Sequence, residues 1–139
     1  MIAPTFVPIR IDVRKNAQPM KRFGVQWTPT VLLLDSDGVE RHRIEGYLPA
    51  PDFTAQLLLG LGHVAFAAGD YAQSERRFRE VVEKFPETES AAEAQYWAGV
   101  SRYKATNDPS ALGETAAAFS RRYTDTSWAK KASVWAKAS

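Results

Sequence analysis

Residues 23–40 read FGVQWTPTVLLLDSDGVE, and the fold turns on how this run is divided. Thr30 to Leu34 is short, apolar and β-prone. Asp37-Gly38 follows as a dipeptide that tolerates the positive φ of a tight turn, and ERHRIEGY (40–47) supplies a second extended run. The spacing predicts a β-hairpin. Upstream, KNAQPMKRFGV (15–25) predicts a short helix ending at Gly24, a residue suited to the left-handed turn that closes helices. Before it, FVPIRIDV (6–13) alternates Val7, Ile9, Ile11 and Val13 with Arg10 and Asp12, the period of a strand. Pro8 places that strand at an edge. Downstream, LPAPDFTAQLLLGLGHVAFAAG (48–69) predicts a long apolar helix that starts at Pro51 and Asp52.

This order, with Thr28-Pro29-Thr30 before a buried strand and DGVERHRIEGY after it, is similar to the C-terminal two thirds of the thioredoxin fold, over roughly residues 6–66. The resemblance implies that Pro29 is a cis-proline and that Trp27, Thr28 and Pro29 lie where that family contacts a bound peptide. A plain structural turn at Thr28-Pro29, with Trp27 plugging the neighbouring space, is the competing expectation and the favoured one. The departure from the family is larger than the agreement. Thioredoxins exchange electrons through Cys-x-x-Cys, in which a low-pKa thiolate attacks and a second thiol resolves, and this chain contains no cysteine. In the family that pair follows a central strand, and five residues precede Phe6 here. The strands at 6–13 and 30–35 are then expected to flank a vacant position. Unpaired buried backbone groups cost about 1–3 kcal/mol each, so the slot must be filled by another copy of the chain, by an upstream segment, or by re-pairing of the flanking strands. A homodimer or higher oligomer through the vacant sheet position is expected.

The remainder of the chain repeats. GDYAQSERRFREVVEKFPETESAAEAQYWAG laid over NDPSALGETAAAFSRRYTDTSWAKKASVWAK pairs Asp70 with Asp108, Phe85 with Tyr123 and Trp97 with Trp135, an offset of 38 residues. Such a period marks stacked helical hairpins. Leu58, Leu61, Gly62, Gly69, Tyr71, Phe78 and Pro86 resemble the tetratricopeptide repeat, and a weaker second unit keeps Gly99 and Tyr103 while placing Asn107 where the first has Gly69. Gly62 is expected at a close helix approach, with Tyr71 and Phe78 wedged between the helices. The loops after each unit resemble those of bacterial envelope-assembly repeats, implying a bacterial source.

Composition narrows the function classes. The 139 residues are 45% hydrophobic with a formal charge of +2, and the arginines at 76, 77, 121 and 122 have acidic neighbours, so no nucleic-acid partner is expected. The apolar run 53–69 is broken by Gln56 and His63 and is too short to span a membrane. The basic residues of the first fifteen follow the apolar ones, the reverse of a secretory signal, which points to the cytoplasm. His42 and His63 fall on different predicted elements, so no metal and no cofactor are assigned. Of the repeat aromatics, Trp97 and Trp135 are expected in the core and Tyr96 and Trp128 at partner contacts.

Together these readings predict an α+β chain: a truncated thioredoxin-like α/β unit at 1–66, then a helical array like tetratricopeptide repeats at 51–139, with helix 51–68 shared. The function expected is a non-catalytic protein or peptide interaction module, an adaptor or holdase. The rival is the C-terminal fragment of a thiol–disulfide oxidoreductase whose Cys-x-x-Cys segment lies outside this chain.

Overall fold

The computed structural model describes residues 18–25 and 29–137, with Ile9 and Ile11 as isolated positions before them. The expected strand at 6–13 otherwise lies outside the described residues, as do Trp27 and Thr28. Ile9 and Ile11 themselves stand exposed and outside any strand.

Helix α1 (Gln18–Phe23) is closed by Gly24 at φ +61°, as its sequence predicts. Strands β1 (Thr30–Leu34) and β2 (Glu40–Glu45) pair antiparallel, with Val31 opposite Ile44, Leu33 opposite His42, and a register shift between Leu33 and Leu34. Among the described residues they are the two strands of the sheet. The turn between them owes more to Asp35 than to Asp37. Asp35 Oδ1 accepts from the N–H of Asp37 at 2.9 Å and of Val39 at 3.0 Å, its Oδ2 takes Arg41 Nε at 2.8 Å, and Gly38 carries the positive φ of +77°. A short acidic side chain that bonds its own backbone is well suited to start such a turn.

Alternation along the strands puts Val31, Leu33, His42 and Ile44 on one face, and Leu33, Ile44 and Leu57 form a small core with Val31, Phe53 and Val64 around it. The covering element is α2 (Ala50–Ala67). On the sheet's other face Arg43 is held by Glu40 at 2.7 Å and donates to the carbonyls of Phe23 and Gly24, which ties α1 to β2.

Helix α2 is covered on two sides, and its glycines show why. Gly60 and Gly62 are about 200° apart around a helix. A Cβ on Gly60 would lie 2.7 Å from Leu33 Cδ2, and one on Gly62 would lie 2.5 Å from the ring of Phe78. Gly60 therefore seats the sheet while Gly62 seats α3 (Tyr71–Lys84). The helix thus packs on the sheet along one side and on α3 along the other. Gly69, at φ +82°, then reverses the chain: its N–H bonds Phe66 O and the next N–H bonds Ala65 O, satisfying carbonyls that the helix end leaves open. Asp70 caps α3 through Gln73 N.

The hairpin recurs in α4 (Ser90–Thr106) and α5 (Ser110–Arg121). Asn107 replaces Gly69 at the turn and adopts φ 56°, the left-handed conformation that asparagine tolerates. A Cβ on Gly99 would lie 1.8 Å from Thr115 Oγ1, the counterpart of the Gly62 approach to Phe78. The main core joins Ala55, Leu58 and Leu59 to Phe78, Val81, Ala94 and Ala98. Inside it Ser74 donates to Ser101 at 2.8 Å, joining α3 to α4. Helix α6 (Ser127–Ala132) and a 3-10 turn (Ser133–Lys137) close the array. Tyr123 bends back at φ 66°, and its hydroxyl donates to Pro86 O at 2.6 Å.

The solvated face of α3 is laced with polar pairs: Arg79 holds Glu75 and Lys84 holds Glu80 at i,i+4 spacing, while Arg76 donates to Gln73 and Arg77 approaches Glu80 at 4.0 Å, both at i,i+3. Residues three and four apart share one helix face.

Candidate functional site

Two places in the structure hold described residues that the sequence singles out. The first is the loop entering β1. Pro29 is half-buried, and its carbonyl accepts from Gly46 N at 2.8 Å, so the residue before β1 is fastened to the residue after β2. Tyr47 follows at 90% exposure and Leu48 at 39%, two apolar side chains beside the Pro29 loop. Residues 3–60 match the family model of a thioredoxin-like domain. This thioredoxin-like part lies at the N-terminal end of the chain, and the match stops inside α2. Neither the curated proteins nor the solved structures yield a match.

The second place is an aromatic line along α2, α4 and the C-terminal turns. His63 meets Trp97 edge-on at 5.6 Å, Phe66 meets Trp97 at 5.4 Å and Tyr71 at 5.1 Å, and Trp97 meets Tyr96 at 5.4 Å. Tyr96 stacks on Trp135 at 4.9 Å and leans on Trp128 at 5.2 Å, with Lys131 over the Trp128 ring at 4.2 Å. These geometries favour the edge-to-face and offset contacts that aromatic quadrupoles prefer.

The division expected from sequence, with Trp97 and Trp135 inside and Tyr96 and Trp128 outside, is not what the rings do. All four are half-buried, and Tyr96 packs against the other three. Tyr96 and Trp97 are adjacent in α4 and so point to faces about 100° apart; α6 and the 3-10 turn fold back over the first face while α2 meets the second. That C-terminal return is a tertiary event with no local signature. Trp97 Nε1 is buried without a hydrogen-bond partner, whereas its ring is fully engaged.

Chemistry of other kinds finds little purchase. His42 and His63, expected apart, are brought together with rings 5.8 Å apart. Among the described residues no three His, Cys, Asp or Glu side chains are grouped to hold a metal ion. No helix of the described residues is long and apolar enough to cross a membrane. A groove of about 170 Å³ between α3 and α5 is lined by Glu83, Gln95 and Glu114 among others.

Proposed function

We propose that the chain is a non-catalytic protein interaction module, an adaptor or holdase, in which a thioredoxin-like hairpin is joined to helical hairpins similar to tetratricopeptide repeats. The observation that carries this reading is the aromatic line from Phe66 through Trp97 and Tyr96 to Trp128. Half-buried aromatic rings on successive helices combine large apolar area with low side-chain entropy, the composition that dominates binding hot spots. The close approaches at Gly62 and Gly99 and the left-handed turn residues Gly69 and Asn107 support the repeat likeness. Its partner is a protein or peptide, with Trp27, Thr28 and Pro29 as a second contact by family likeness, and the setting is cytoplasmic. Self-association through the sheet beside β1 is part of the same proposal, since TVLLL is a short apolar strand of the kind that recruits a neighbour.

The test is the capacity of the full chain to suppress aggregation of a chemically unfolded model protein, compared with a Tyr96→Ala, Trp128→Ala double variant that retains its helical circular dichroism. Loss of suppression in the variant supports the reading, and equal activity of the two removes the aromatic line from it. Light scattering across a dilution series tests self-association, for which a persistent dimer is expected.

The rival reading, a fragment of a thiol–disulfide oxidoreductase, draws on the Pro29 loop fastened to Gly46. With no cysteine in the chain, the redox groups would have to come from elsewhere. A monomer whose strands form poorly, beside an intact helical half, favours the rival.

A further inference from the structure

Two histidines from different elements meet where the sheet joins the helices. His42 stands on the β2 face that is turned to α2, opposite Leu33, and His63 stands on α2. Their rings stack 5.8 Å apart at 26°. His42 Nε2 donates to Gln56 Oε1 of α2 at 2.6 Å, and His63 Nε2 donates to Glu93 Oε2 of α4 at 2.9 Å. Phe78 of α3 and Trp97 of α4 close edge-on around His63, at 5.2 and 5.6 Å. Gly60 brings the α2 backbone so near that a Cβ there would lie 3.1 Å from His42. The run Gln56–His42–His63–Glu93 therefore ties β2 to α2 and α2 to α4 through four side chains.

The charges facing this run are unequally shared. His63 has the Glu93 carboxylate in contact, so a proton on His63 is compensated where it sits. His42 has the neutral Gln56 in contact, and the nearest acid of its own strand, Glu40, is ion-paired with Arg43 at 2.7 Å. A charge on His42 faces the other imidazole across the stack with no carboxylate touching it.

We infer that the His42–His63 stack is an acid-sensitive latch: it holds the strand hairpin against the helices at neutral pH and loosens it when His42 takes up a proton. Burial, above all, keeps His42 below the ordinary histidine range, and the neighbouring His63 adds to this; the Gln56 bond and the charges of Glu93 and Glu40 act the other way. The sign follows from linkage. A histidine whose folded-state pKa is depressed binds its proton more readily when released, so the hold is complete above the ordinary value of about 6.5 and weakens as the pH falls below it. Opening there uncovers the apolar side of the hairpin, Val31, Leu33 and Ile44.

The test is amide hydrogen exchange of the whole chain, read residue by residue by NMR between pH 7.5 and 5 and corrected for the intrinsic pH dependence of exchange. Amides of β1 and β2 are expected to lose protection, by up to about tenfold for each pH unit below 6.5, while those of α4 and α5 keep theirs. In His42→Gln, which preserves a donor toward Gln56, the loss is expected to vanish. Hairpin protection that is flat with pH, or that falls in step with α4 and α5, overturns the latch, as does a wild-type slope retained in His42→Gln. Should that variant not fold, the ring resonances of the unaltered chain decide: His42 titrating below the ordinary range supports the latch, and His42 titrating at or above it overturns it.

Discussion

Gly62 lets α2 rest on Phe78, and Gly99 lets α4 rest on Thr115, so each helical hairpin is seated by a glycine against a buried side chain of the helix that follows. The strand hairpin is secured differently. One face of β1–β2 is covered by α2 through Leu33, Ile44 and Leu57, and the other is reached from α1 through Arg43. A helix satisfies its own backbone and needs only a covered stripe, whereas a two-stranded sheet is marginal alone and depends on what packs against it. The lesson is that one chain holds a self-supporting helical half and a thioredoxin-like half whose order is borrowed from α2.

The contrast can be broken by truncating one core residue in each half. Phe78→Ala empties the joint of α2, α3 and α4, where the ring is fully buried, and is expected to cost about 3–5 kcal/mol, read by urea denaturation. Because α2 carries the sheet as well, both halves should unfold together. Leu33→Ala, at 3% exposure under Gly60, is expected to cost about 2–3 kcal/mol, the lower part of the range for core truncation, since the hairpin has freedom to settle onto α2. Here strand amides should lose protection before helical ones. A uniform loss of protection in Leu33→Ala would show that the halves are one cooperative unit.

A smaller effect sharpens the helical side. Ser74 and Ser101 are both fully buried and bonded to each other. Ser74→Ala leaves the Ser101 hydroxyl without this partner and is expected to cost about 1–3 kcal/mol, while the double change to alanine recovers part of it. The double-mutant cycle in chemical denaturation checks this.

The smallest effect belongs to the hairpin turn. The Val39 N–H bonded to Asp35, foremost, with Arg41 and the Asp37 N–H behind it, holds the Asp35 carboxyl below its ordinary value. The turn is thus steadied above the ordinary carboxylate value of about 3.9, and the contribution is lost as the pH falls through the lower folded value. Asp35→Asn should remove this acid dependence of hairpin melting, at pH values well below those at which the histidine latch acts. Melting curves followed at the strand amides at neutral pH and near pH 3 make the comparison.

Much of the fold is legible locally. Gly24, Gly38, Gly69 and Asn107 each take the left-handed conformation at a turn that their identity announces, because backbone sterics act within a few residues. Gly62 is readable as a close approach once the repeat is seen. The partner of Gly60 is not readable, since it depends on which face of α2 meets the sheet. Among candidate site residues, Tyr96 reads in sequence as a partner contact, yet Trp128 of α6 and Trp135 of the 3-10 turn pack against its ring, a return of the chain that no local pattern announces. The histidines mislead for the same reason: elements 21 residues apart in sequence say nothing of rings stacked in space.

From sequence alone came the β1–β2 hairpin, the short helix before it and the long helix after it, the left-handed turn residues and the absence of cysteine. Those follow from short-range sterics, from the periods of apolar residues and from composition, all of which are written along the chain. Tertiary structure decided which faces met: Gly60 against the sheet, Tyr96 against Trp135, His42 against His63. Such pairings are set by the burial of apolar area between distant elements, a quantity that no local stretch contains.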